Sequence, residues 1–347
     1  MQNFFTPKSI AVIGVSKDPD KVGHVIFKNL YKKFKTFPIH PKETSILGEK
    51  AYSSIEEVPQ HVDLVIIAIP AKFVIRVVRD CGKKGIKHVL IVSAGFKEIG
   101  NETLEYELEK ALEEYNIQCV GPNCLGIFDA HSGLDSLFLP TKKLTRPQAG
   151  SISFISQSGA VGSAVLDLLS DEHIGFAKFI SYGNGTNLSE ADFLKYLEKD
   201  PQTKVICMYI EGIHNGKKFL EIAKQSKKPI IVLKGGRSEK GAKATLSHTG
   251  SLAGSYQVYQ GALKQAGCIV TESLEEMFHI AKLFVMLPKP KGKRVQVITN
   301  GGGYGILTID ELEQQNLKLA ELSQRTINFL KHHVPKIVII SNPMDLV

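Results

Sequence analysis

A chain of 347 residues with ample apolar content holds two or three domains, each with a core of its own. The formal charge of +8 fits an anionic ligand, but lysine is spread along the whole chain, so a solvated basic surface explains it equally well. No basic arm, zinc spacing or aromatic RNA-binding signature points to nucleic acid, and no apolar run is long enough to cross a bilayer. The five cysteines are odd in number and form no CxxC pair, which argues against a disulfide framework or zinc site and for a reducing cytoplasm.

From Ser9 short β-branched runs alternate with amphipathic segments: SIAVIGV, then 22–33; LVIIAI, then 71–83; HVLIVSA, then 102–115; then QCVGP. This rhythm predicts a parallel sheet covered on both faces, a Rossmann-like first domain over 1–128. The first turn, Gly14 to Gly23, is too long for the GxGxxG fingerprint of a dinucleotide site. After the second strand, Lys42 suits an extra phosphate on a nucleotide ribose or is an ordinary surface lysine, and Glu43 keeps a dinucleotide reading open. Open parallel sheets bind ligands at the carboxyl ends of their strands. Ile69-Pro70 and the turn Ser93-Ala94-Gly95-Phe96 stand at such ends, and Asn123 and Cys124 follow the last strand. Cys124 either faces a ligand or is an inert buried thiol.

Residues 129–148 carry turn residues and little periodicity, so they read as a linker. A second βα series over 149–287 predicts a flavodoxin-like domain: SISFIS, GFAKFISYG, KVICMYI, PIIVLKGG and CIVT, interleaved with helix patterns. Between its fourth strand and the helix pattern 256–265 lies the loop Lys234 to Gly254, which sets a single histidine, His248, among glycine, small hydroxyl residues and lysine. Loops this long without structure of their own are often functional. A third series over 293–347 opens with RVQVITN and a helix over 304–315, and holds too few strands for a closed core.

Two strand-to-helix turns stand out beside the histidine loop. Gln157-Ser158-Gly159 and Gly301-Gly302-Gly303 each place small residues at a helix N-terminus, where free backbone N–H groups and the helix dipole favour an anion. Glycine and serine also serve plain capping. A phosphorylated histidine needs such donors, and a carboxylate on its other ring nitrogen fixes the tautomer. Glu211, ending the strand KVICMYI, is placed as that orienting group or as a surface glutamate.

The motifs SIAVIGVS, HPK, AIPA, GPNCLGIFD, ISQSGAVG, MYIEGI, LSHTGSLAG and TNGGGYGI together resemble the α subunit of the NDP-forming acyl-CoA synthetases, the family of ADP-forming acetyl-CoA synthetase and succinyl-CoA synthetase. The resemblance implies a CoA-binding domain followed by succinyl-CoA-synthetase-type flavodoxin-like units. It implies phosphorylation of His248, a hydrogen bond from Glu211 to its ring, and phosphate cradles at Gln157 to Gly162 and Asn300 to Gly305. Gly14, Ser16, Lys42, Ile69, Pro70, Ser93 and Gly95 would line the CoA site, with Lys42 on the ribose 3′-phosphate and Asn123 and Cys124 near the thiol. No ATP-grasp domain is present, so ADP or ATP with Mg is expected on a partner β subunit, in an oligomer that takes a small carboxylic acid. The family continues past Asn342, so an incomplete second flavodoxin-like domain is expected. A catalytically silent CoA-binding or regulatory homologue, and an NAD(P)-binding oxidoreductase, are the alternatives.

Overall fold

The first β-branched runs pair into one all-parallel sheet. Its strands are β1 (Ser9–Ile13), β2 (Lys35–Ile39), β5 (Leu64–Ile67), β6 (His88–Ile91) and β7 (Gln118–Val120), and the short strands β3 (Ser45–Ile46) and β4 (Glu49–Lys50) form a separate hairpin. Helices α1 (Val22–Leu30), α2 (Ala71–Lys83) and α3 (Glu102–Glu114) connect them. Both β1 and β5 are buried along their whole length, which is why they read as unbroken apolar runs and not as alternating ones. In α2 the buried residues Val74, Ile75, Val78 and Cys81 follow helical spacing. The strand order β2-β1-β5-β6-β7 reverses direction between β1 and β5, and a crevice opens at such a switch point.

The second sheet contains β8 (Gly126–Asp129), β9 (Leu134–Asp135), β10 (Ala149–Ser156), β11 (Phe176–Ser181), β12 (Val205–Ile210), β13 (Ile230–Lys234) and β14 (Ile269–Thr271), in the order β14-β13-β12-β10-β11-β8-β9. Helices α4 (Gly159–Asp171), α5 (Glu190–Lys199), α6 (Gly216–Gln225), α7 (Tyr256–Gln265) and α8 (Leu274–Met286) cover it. Its parallel order reverses between β10 and β12, giving a second switch point. In this computed structural model the described residues are 1–171, 174–238, 240–241 and 255–347. His248 and most of the loop around it lie outside them.

Residues 129–148, expected as a linker, are packed. β8 runs antiparallel to β11 and pairs with β9, so the segment extends the second sheet. Leu134, Leu137 and Leu144 are buried, and Arg146 donates to Asp135 from Nε at 2.9 Å. Irregular coil buries leucines at irregular spacing, which hides them from any period-based reading. The two sheets share one apolar cluster, with Ile10 and Val12 in the same core as Ile155, Ile180 and Ile206. Residues Met1–Met286 accordingly form one unit and Leu287–Val347 another.

In the second unit the run RVQVITN becomes two short strands, β15 (Arg294–Val295) and β16 (Ile298–Thr299), not one. β15 pairs with β17 (Lys318–Leu319) and β16 with β18 (Met344–Asp345), both parallel. The split has a cause in Asn342. Its Oδ1 accepts the Val297 N–H at 3.0 Å where a ladder bond would otherwise form, and its Nδ2 donates to the carbonyls of Val295 and Ala320 at 2.8 and 2.9 Å. Helices α9 (Gly302–Gln314) and α10 (Gln324–Leu330) complete the unit. Among the described residues no helix is long and apolar enough to cross a membrane.

Candidate functional site

A cavity of about 680 Å³ opens at the first switch point. The turn after β1 must pass close under β5 here. Gly14 has φ +93°, and a Cβ on it would lie 2.2 Å from the Ala68 carbonyl oxygen, so only glycine fits. Gly14, Ser16, Ile69 and Pro70 all stand in the wall. Ile13, Ile39 and Phe73 give it apolar surface, while Lys21, Arg76 and His40 bring cations and donors to it. This composition suits a ligand with a flat apolar ring and phosphates.

Lys42 is not in that wall. The chain leaves β2 and folds around His40, whose Nδ1 accepts the N–H groups of Lys42 and Glu43 at 3.2 and 3.1 Å, so His40 and Pro41 face the cavity and Lys42 is exposed. Glu43 is tied to Lys17, which holds its carboxyl below the usual range, and it does not line the cavity either. Glu43 is thus not a carboxylate of this wall; the carboxylates that line it are Glu56 and Asp80.

A smaller cavity of about 280 Å³ shares Val22, Ala68, Ile69 and Pro70 with the first, and it shares Val92, Ala94 and Phe138 with a third cavity of about 420 Å³. The three form one continuous track. Ser93 lines the middle section, and its Oγ accepts the Ile69 N–H at 3.2 Å. Gly95 does not face the track: its N–H and that of Phe96 are bound by the Glu98 carboxylate. Burial pushes the Glu98 carboxyl up, but the Gly95 N–H and the Asn184 amide outweigh it and hold it below its ordinary value.

The third cavity sits where the carboxyl ends of both sheets meet. Asn123 and Cys124 from the first sheet line it together with Gln157, Ser158, Gly159 and Glu211 from the second switch point. The Gln157 side-chain oxygen accepts the N–H groups of Glu211 and Gly212 at 2.8 and 3.1 Å, locking the end of β12 to the end of β10. Glu211 is buried, and the Tyr209 hydroxyl donates to its Oε1 at 3.3 Å. Ser158 Oγ accepts the Val161 N–H at 3.3 Å as a cap. Among the described residues no acceptor lies on the N–H groups of Gly159 and Ala160 at the start of α4, which leaves a helix N-terminus aimed at the cavity.

Asn184, absent from the sequence expectations, ties the halves together. Its Nδ2 donates to Glu98 and to Glu105, each at 2.8 Å, and its Oδ1 accepts from Asn123 Nδ2 at 3.2 Å. The signal was present in Gly183-Asn184-Gly185 after an apolar strand, a strand-end turn like those singled out. Gly183 takes φ +57°, and a Cβ there would meet the Asn123 carbonyl oxygen at 2.1 Å. Phe138 carried no such signal.

Cys124 combines features of both readings, for it lines the third cavity and yet is buried. Its Sγ donates to the Ile91 carbonyl at 3.3 Å, and burial pushes its pKa up to about 12. Burial also pushes Cys81 to about 12 and Cys268 to about 11. All five cysteines are buried. In native protein at pH 8, a disulfide reagent should therefore find all five far slower than a free thiol, with full reaction after denaturation. A fast stoichiometric reaction at Cys124, mapped by peptide mass, would contradict this.

In the second unit Gly301 caps α9 and its N–H donates to Thr299 Oγ1 at 3.0 Å. Gly301, Gly302 and Gly303 line a shallow cavity of about 560 Å³ with Tyr304, Ile306 and Leu307. A carboxylate also lies against this turn, since a Cβ on Gly302 would be 2.8 Å from Asp345 Oδ2.

Residues 8–130 match a CoA binding domain, and residues 149–284 a succinyl-CoA ligase like flavodoxin domain. The alpha subunit of ADP-forming acetate–CoA ligase II from Pyrococcus furiosus is 45% identical over 350 residues, covering 99% of this chain and 75% of that one. The ADP-forming acetate–CoA ligase of Methanocaldococcus jannaschii is 44% identical over 98% of this chain, which spans 48% of that protein. The structure of dinucleotide forming acetyl-coenzyme A synthetase 1 from Ca. Korarchaeum cryptofilum, in complex with phosphate and ADP, superposes with a TM-score of 0.93 at 39% identity, covering all of this chain and 75% of that one. With both domains in this order, and near-full alignment to a separate alpha subunit, the chain belongs to the family of ADP-forming acyl-CoA ligases.

Proposed function

We propose that this chain is the CoA-binding, phosphoryl-carrying subunit of an ADP-forming acyl-CoA synthetase, interconverting acyl-CoA, ADP and phosphate with a carboxylate, CoA and ATP. The observation that carries the reading is the continuous track from the cavity at the first switch point to the start of α4 and Glu211 at the second. The first cavity takes the nucleotide end of CoA, with Lys21, Arg76 and His40 toward its phosphates. Bound there, CoA supplies the thiol that carries the acyl group, with that end near Asn123.

Phosphate sits at the free N–H groups of Gly159 and Ala160, where a helix N-terminus favours an anion by about 0.3–1 kcal/mol and by up to about 2 kcal/mol when partly buried. A phosphate oxygen attacks the thioester carbonyl, the C–S bond breaks, and the thiolate leaves and takes a proton. His248 then attacks phosphorus, and the P–O bond to the acyl oxygen breaks, releasing the carboxylate. Glu211 holds the other ring nitrogen and stabilises the positive charge that develops on the imidazole. In the second unit, the turn Gly301–Gly303 stands at the start of α9, a helix N-terminus of the same kind. The phosphoryl group passes to ADP with Mg on an ATP-grasp partner subunit, in a cytoplasmic hetero-oligomer.

The test is incubation of the chain, co-purified with its ATP-grasp partner, with acetyl-CoA, radiolabelled phosphate and Mg²⁺. Acid-labile, base-stable label on the wild-type chain and none on His248→Ala is the expected result. Absence of label from the wild type, or label that survives His248→Ala, overturns the phosphohistidine route. CoA binding without label would select the silent homologue instead.

A further inference from the structure

The third cavity is lined by groups of two kinds. Asn123, Gln157, Ser158 and Glu211 are polar, while Phe138 and Leu139 are large and apolar. Phosphate and the reacting carbonyl need the polar groups, so the apolar ones are left for whatever extends from the carbonyl. Phe138 also lines the middle section, which makes it the one aromatic side chain shared by the two cavities among the described residues. Any acyl group delivered along the track passes it.

Phe138 is held from both sides. The Asn29 Nδ2 donates to the Leu137 carbonyl at 3.1 Å, and Arg146 Nη2 donates to the Leu139 carbonyl at 2.8 Å. Arg146 is itself anchored, with Nε and Nη2 donating to the two Asp135 oxygens at 2.9 and 3.3 Å, and this pair is buried. The ring packs against the apolar clusters on both sides of the segment. The backbone that carries the ring is therefore fixed on both flanks, and packing against the two clusters limits the room the ring has to turn aside for a bulky group.

We infer that Phe138, backed by Leu139, is the residue that sets the size of acyl group this subunit accepts, admitting small aliphatic acyl groups and refusing those with an aromatic ring. This rests on the reading of the track as the acyl-CoA site. The test measures binding to the full chain by calorimetry, using CoA, acetyl-CoA and phenylacetyl-CoA on the wild type, Phe138→Ala and Phe138→Leu.

For the wild type, phenylacetyl-CoA should bind about tenfold or more weaker than acetyl-CoA, the range that a pocket wall imposes on an oversized group. In Phe138→Ala that ratio should fall to within about threefold, with CoA affinity kept within about twofold, and Phe138→Leu should lie between. An unchanged ratio in both variants, or no discrimination in the wild type, overturns the assignment of Phe138 while leaving the CoA site standing. If Phe138→Ala loses CoA as well, the ratio in Phe138→Leu decides. Failure of the wild type to bind CoA at all overturns the reading of the track itself, and this inference with it.

Discussion

Glu211→Gln is expected to slow phosphorylation of the chain by acetyl-CoA and phosphate by about 10²-fold or more, within the range that a positioned acid or base contributes. The substitution keeps the shape of a buried side chain whose backbone N–H is fixed by Gln157 and whose Oε1 accepts from Tyr209. It removes the negative charge, so on the proposed route the His248 imidazole would lack a counter-charge in its attack on phosphorus. CoA affinity should stay within about twofold, because Glu211 lines the third cavity and not the first. Labelling time courses beside CoA titrations separate the two effects. Equal labelling rates would remove Glu211 from the reaction, and a parallel loss of CoA affinity would reduce it to a structural residue.

Lys178→Ala is expected to cost about 3–5 kcal/mol of stability, the usual penalty for breaking a buried ion pair from one side. Lys178 lies inside β11 with its side chain buried, 3.0 Å from Asp200 and 3.3 Å from Asp129. It also donates to Gln202 at 2.7 Å and stands over the Phe5 ring. Removing it leaves two carboxylates facing each other out of water. Lys178→Met keeps most of the volume and should cost nearly as much, because the loss is electrostatic. Urea unfolding of the three proteins checks this. A methionine variant as stable as the wild type would mean that packing, not charge, holds the position.

The alternation of strands and helices was legible because the first sheet, and the second from β10 to β14, are parallel and covered by helices, so buried strands such as SIAVI and LVII advertise themselves as core. Strand-end turns were legible for the same reason: Ile69, Ser93, Asn123, Gln157 and Glu211 all lie on one track. Lys42 does not line the cavity, because the path from strand end to cavity depends on a turn around His40 that spacing alone does not reveal. Gly95 does not line the track, and its backbone N–H, which looks free in sequence, is bound by Glu98, three residues on. Phe138 and Arg146 sit in irregular coil, where burial follows from packing against Asn29 and Asp135 and leaves no periodic trace.

Both N–H groups of the Asn184 amide and one lone pair of its oxygen are taken by Glu98, Glu105 and Asn123, all from the connections of the first sheet. The carboxyl ends of the two sheets, which meet at the third cavity, are therefore aligned by directional bonds in addition to the apolar cluster that the sheets share. Directional bonds weaken steeply with angle, so the tolerance of this joint is a few tenths of an ångström. That is finer than the roughly 1 Å misplacement at which a reaction between two held groups loses about 10²-fold in rate. Asn184 thus works as the registration pin between two half-sites that separate sheets supply.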